Sequence, residues 1–129
     1  MKNVLVGTVL ATVLTMAASA AMADKLKMPV GMGGVPDIGA IPCSVLNEMI
    51  KIGPLGTRHS LLTWSAGYLQ ALSGKSLQTL VDEAGKAGGG AWTYDRIAAD
   101  LAGYCVANPK AVTHEAAANL ARELGVLTR

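Results

Sequence analysis

The chain has 129 residues, and its 11 basic side chains against 9 acidic ones give a net charge of +2 at neutral pH. That balance removes any electrostatic case for a nucleic acid or an anionic membrane surface as partner, since both need a strongly basic face. Phe is absent and alanine is abundant, so any helices must approach one another closely to bury a core.

Lys2 precedes the apolar run Val4 to Leu14, and small residues follow up to Ala21-Met22-Ala23. This is the pattern of a secretory signal over residues 1–23 with an A-x-A cleavage site, predicting export to the periplasm with cleavage near Ala23. Ala18-Ser19-Ala20 offers a second site. The apolar run is shorter than the roughly 20 residues of a spanning helix, so no membrane span is expected after cleavage. Removing the leader takes away Lys2 and no acidic residue, which leaves ten basic and nine acidic side chains and a net charge of +1. The remaining chain is long enough for one modest core, and a single domain is expected. Two cysteines in an exported chain favour a disulfide between Cys43 and Cys105 over a metal site or free thiols.

Residues 24–42 carry Gly31, Gly33, Gly34 and Gly39 with Pro29, Pro36 and Pro42. Such a stretch cannot sustain a helix and reads as a flexible arm. Gly31-Met32-Gly33-Gly34 lacks the Lys-Ser/Thr that a phosphate loop requires. The domain proper is expected over residues 43–125, with a short tail at 126–129. Cys43 to Ile52 has helical apolar spacing and is stopped by Gly53-Pro54. Thr57 is positioned to cap a helix from Arg58 to Ser73, whose main stripe is Leu61, Trp64, Tyr68 and Leu72, widened by Leu62, Ala66 and Leu69. Gly67 inside that helix costs about 1 kcal/mol relative to Ala, which predicts a close helix contact there.

Gly74-Lys75-Ser76 resembles the tail of a nucleotide-binding loop but lacks the preceding strand and the upstream glycine. Ser76 instead caps a helix from Leu77 to about Ala87, with Leu77, Leu80, Val81 and Ala84 inward, and Gly88-Gly89-Gly90 ends it. The segment Thr93 to Pro109 is the strongest helical pattern: Thr93 caps it, Asp95 favours its positive end, and Tyr94, Ile97, Ala98, Leu101, Tyr104 and Cys105 form one face. Asn108 and Pro109 are expected to start a last helix, with Val112, Ala116, Leu120 and Leu124 as its stripe and Gly125 after it. No segment alternates like a strand. The fold class is all-α, a small bundle of four or five short helices stapled by one disulfide.

Enzyme chemistry finds no constellation. His59 and His114 lie near helix starts and pair with no carboxylate and nucleophile, which makes them solvated surface histidines. The cysteines and histidines lack zinc-finger spacing, and Asp82-Glu83 reads as a solvated face. No catalytic residue, metal or cofactor is expected. Acid is a different matter. Below the carboxylate pKa of about 4 the acidic groups neutralise, and ten basic residues with two histidines would give the leaderless chain a charge of +12. Self-repulsion then opposes the compact state while the apolar helix faces stay adhesive.

Cys43 followed by a short apolar helix, then Trp64-Ser65-Ala66-Gly67-Tyr68, then Tyr104-Cys105 followed by Asn108-Pro109, resembles the HdeA/HdeB family of small periplasmic acid-stress chaperones. The resemblance runs from about Ile41 to Leu124. It implies an all-helical domain with one disulfide, mapped onto Cys43 and Cys105, and a homodimer at neutral pH that dissociates and partly unfolds in acid. The apolar surface so exposed would hold unfolded periplasmic client proteins without ATP, and Trp64, Tyr68, Leu69, Ile97, Leu101 and Tyr104 are the expected client-binding residues. A second class stays open: periplasmic immunity proteins that neutralise toxins delivered by type VI secretion are also small, helical and disulfide-bonded, and keep a rigid surface for one partner.

Overall fold

The computed structural model describes residues 37–128. The expected leader, the arm up to residue 36, and Arg129 at the end of the expected tail lie outside the described residues. A short 3-10 turn, Ile38–Ala40, leads into five α-helices: α1 (Cys43–Ile52), α2 (Pro54–Ser73), α3 (Leu77–Lys86), α4 (Tyr94–Ala107) and α5 (Thr113–Glu123). Among the described residues there is no strand, only one isolated bridge between Pro42 and Val112. The all-α, disulfide-stapled expectation holds.

Cys43 and Cys105 are bonded, with Cα atoms 4.7 Å apart across 62 residues of sequence, and both are fully buried. The bond joins the first residue of α1 to the last turn of α4. Backbone hydrogen bonds lace the same junction to the segment before α5. Cys43 N–H donates to the Ala111 carbonyl at 2.8 Å, and Ser44 N–H to that of Pro109 at 3.1 Å. Thr113 donates to the Ile41 carbonyl through both its N–H and its hydroxyl, each at 2.9 Å. Thr113 is itself fully buried, so its hydroxyl is satisfied where water cannot reach.

This lacing corrects two expectations. The last residues of the arm are folded: Ile41 is 1 % exposed and Gly39 is buried, because Ile41 has a core to fill and its carbonyl has two donors. The last helix starts at Thr113, four residues after the expected proline start. Residues 109–112 are held by Cys43 and Ser44, and Asn108 closes α4 by donating both its N–H and its side-chain amide to the Tyr104 carbonyl at 2.9 Å. Glu115 then reaches back to accept the Val112 N–H at 3.3 Å, one half of a capping box.

At the other junction α2 begins at Pro54 rather than Arg58. Proline suits the first helical position, where its missing N–H would have had no partner, and Thr57 spends its hydroxyl on the Met49 carbonyl of α1 at 3.1 Å. Ser76 and Thr93 do cap α3 and α4, accepting the N–H groups of Thr79 and Arg96 at 3.2 and 3.1 Å.

The core is drawn from Leu46 of α1, Leu61 and Leu69 of α2, Leu77, Leu80 and Val81 of α3, Ile97 and Leu101 of α4, and Ala116, Ala117, Leu120 and Ala121 of α5. Helix α2 is turned from its expected stripe. Its buried line is Leu61, Ser65 and Leu69, with Trp64 and Tyr68 half-buried at one flank and Leu72 exposed. Trp64 is placed there by the 3-10 turn. A Cβ on Gly39 would fall 2.6 Å from Trp64 Cζ2, so the turn's backbone packs directly under the indole. Gly67 makes no such contact: a Cβ there meets nothing within 4 Å, against the close helix approach expected of it.

Three measurements follow from these contacts. Thiol titration of the unfolded, unreduced protein should find no free thiol, and reduction should lower the unfolding free energy by about 2–4 kcal/mol, in line with a loop of this length. Gly67→Ala should raise stability in urea unfolding by about 0.5–1 kcal/mol. Gly39→Ala should lower it by about 1–3 kcal/mol and disturb the near-ultraviolet circular dichroism as the indole is displaced.

Candidate functional site

Two surfaces stand out, on opposite flanks of α2. The first is aromatic. Trp64 and Tyr68, one helical turn apart, stack with centroids 5.5 Å apart and planes at 13°. His114 at the start of α5 meets Tyr68 edge-on at 6.0 Å and 84°. Aromatic pairs of this geometry contribute about 0.5–1.5 kcal/mol beyond the area they bury. His114 is exposed, as expected of a surface histidine, but it also extends the aromatic pair.

The expected client-binding residues do not form one surface in this state. Leu69, Ile97 and Leu101 are between 0 and 1 % exposed and belong to the core. Their helical spacing identified an apolar face, and in the folded chain that face is turned inward. Trp64, Tyr68 and Tyr104 are half-buried at its edge. Tyr104 sits apart from the stacked pair, beside an open, partly polar cleft of about 490 Å³ formed with Asn108, Lys110 and Glu115.

The second surface was not anticipated. His59, Leu62, Thr63 and Ala66 of α2, with Leu77 of α3 and Tyr94 of α4, line a mostly apolar groove of about 530 Å³. Its signal lay in α2, where Leu55, His59, Leu62 and Ala66 recur at four, three and four residues and make a second stripe beside the buried one. Leu55 at the end of that stripe is 82 % exposed and Tyr94 is 57 % exposed. Tyr94 begins the apolar face of α4 that the buried Ile97 and Leu101 continue, but it is not buried with them. It stands instead at the rim, where its hydroxyl lies 3.4 Å from Gln78 Oε1 of α3. Beside it, Arg58 of α2 pairs with Asp95 of α4 at 3.3 Å. Asp95 is almost wholly solvated, so this pair adds little to stability.

Polar chemistry elsewhere is peripheral. Glu83 pairs with Lys75 at 2.8 Å and Asp82 accepts from Gln78 at 2.9 Å, the solvated face that Asp82-Glu83 suggested. Among the described residues no three His, Cys, Asp or Glu side chains gather where they could hold a metal ion. The Ser65 hydroxyl is buried without a hydrogen-bond partner, which makes it a cost to the core. What the two surfaces can do is bury apolar and aromatic groups. No helix of the described residues is long and apolar enough to cross a membrane.

No family model matches the chain, and no curated protein or solved structure matches it significantly.

The split between core and edge can be tested directly. Leu69→Ala should cost about 2–5 kcal/mol in urea unfolding, as for a fully buried leucine. Ser65→Ala, which removes an unpaired buried hydroxyl, should leave stability unchanged or raise it.

Proposed function

We propose that the protein is an ATP-independent holdase of the periplasm, of the kind the HdeA/HdeB resemblance implies, which keeps client proteins from aggregating in acid. The observation that carries this reading is the Cys43–Cys105 bond at the centre of the core. It ties α1 to α4 at the fully buried end of the apolar face that contains Ile97 and Leu101. A chain so stapled can loosen without dispersing, and offer that face to a client while its helices stay neighbours.

Acid supplies the drive. The rise from +1 to +12 for the leaderless chain works against the compact state through self-repulsion, whereas the packing it opposes is that of a small core. A neutral-pH homodimer, cleavage of the leader near Ala23 and release of clients on neutralisation belong to the same proposal. In it Leu69, Ile97 and Leu101 act only once the bundle has opened, and Trp64, Tyr68 and Tyr104 at the edge act first.

The groove of α2 favours a second reading, a periplasmic immunity or partner-binding protein, because it is already formed in the folded chain and could seat one partner at neutral pH. Light scattering of an acid-labile periplasmic client, with and without the protein, separates the two. Suppression of aggregation at pH 2–3 and during neutralisation, with none at pH 7, is the outcome expected of the holdase. No suppression at stoichiometric excess would exclude it and direct attention to a single folded partner.

A further inference from the structure

Helix α3 is attached to the molecule differently from the other four. Helices α1, α2, α4 and α5 are interlocked: α4 packs on α1, α2 and α5, and α2 on α1, α4 and α5. Helix α3 has α2 as its one substantial helix partner. It sits outside the lacing around the disulfide, and it forms one wall of the groove through Leu77.

Its two ends are built from residues that can turn. Gly74, between α2 and α3, has φ of 68° and no neighbour near its missing side chain. Gly88 and Gly90, between α3 and α4, have φ of 88° and 76°. Glycine alone enters this left-handed region without steric cost and leaves it as readily. Both connections can therefore change direction while the helix between them stays intact.

At the second of these hinges, α4 supplies a brace. Arg96 Nη1 donates to the carbonyls of Gly89 and Ala91 at 3.0 and 3.1 Å, and its guanidinium lies 3.9 Å from the centre of the Trp92 ring. Tyr94 adds the long contact to Gln78. These bonds are solvent-exposed, the kind that open and re-form within a native state. The side chains that α3 itself buries, Leu77, Leu80 and Val81, are 3 to 8 % exposed.

We propose that α3 is a hinged flap: it swings away from α2 as a unit on Gly74 and Gly88–Gly90 while the disulfide-laced helices stay closed, and Arg96, bound to the second hinge, is the brace that keeps that hinge from turning. Opening would widen the groove and uncover two facing apolar walls, Leu62 and Ala66 on α2 and Leu77, Leu80 and Val81 on α3. The use assigned to those walls, a first contact for unfolded polypeptide, rests on the holdase reading; the motion itself does not.

Native-state hydrogen exchange of the full chain at neutral pH, across a low urea series, tests the flap. Amides of residues 81–86 should exchange at least tenfold faster than those of residues 101–105 and 120–121, with a shallower urea dependence that marks sub-global opening. Arg96→Gln should speed exchange in α3 several-fold further and leave α5 unchanged. Equal rates and equal urea slopes in α3, α4 and α5 would overturn the flap, and an α3 rate untouched by Arg96→Gln would overturn the brace. Neither readout depends on a client, so light scattering decides the holdase and exchange decides the flap.

Discussion

The molecule depends on one junction, where the Cys43–Cys105 disulfide and the backbone bonds around it bind residues 41–44 to residues 105–113. An α1 of ten residues is too short to persist alone in water. Held by sulfur at its first residue and by Asn47, whose amide donates to the Cys105 carbonyl at 3.1 Å, it becomes a fixed wall for α2 and α4. The junction also orders the segment before α5, so the last helix starts where Ile41 and Cys43 allow it to. Helix α3 alone takes no part.

The surfaces of α2 are consequences of that arrangement. Once Leu61, Ser65 and Leu69 are turned to the core, Trp64 and Tyr68 must lie to one side and Leu62 and Ala66 to the other. The 3-10 turn covers the first flank and α3 partly covers the second. One 20-residue helix thus carries the core, the aromatic pair and the groove on three adjacent faces. A mutation that rotated it by one residue would exchange all three.

Most of the fold was legible because its signals are local. Helical spacing, the caps Ser76 and Thr93, and two cysteines in an exported chain place three helices and the staple within a residue or so. Expectations failed where a distant partner decides. Pro109 follows Asn108 as at a helix start, yet its carbonyl is claimed by Ser44. Thr57 has the chemistry of a cap, yet Pro54 opens the helix three residues earlier. Ile41 stands among glycines and prolines that suggest a free arm, and its burial depends on Thr113, 72 residues away. The site was harder still. Spacing finds apolar residues but does not tell inward from outward on a helix apolar on three sides. Leu69, Ile97 and Leu101, expected to meet a client once acid exposes them, lie in the core of the folded chain, whereas the Leu55–Ala66 stripe was overlooked.

The disulfide also divides the chain topologically. It closes a covalent ring that holds α1 to α4, and leaves the 3-10 turn and α5 as two branches outside it, clasped to each other by Thr113 and Ile41. A protease that nicks the exposed glycines between α3 and α4 therefore leaves every helix on a single covalent particle. A nick at the exposed residues 108–110 does not: α5 would then be retained without a covalent link, by its alanine and leucine face, that clasp and the bond from Cys43 N–H to the Ala111 carbonyl. Survival of the intact mass after proteolysis is decided less by how readily the protein is cut than by which side of Cys105 the cut falls on.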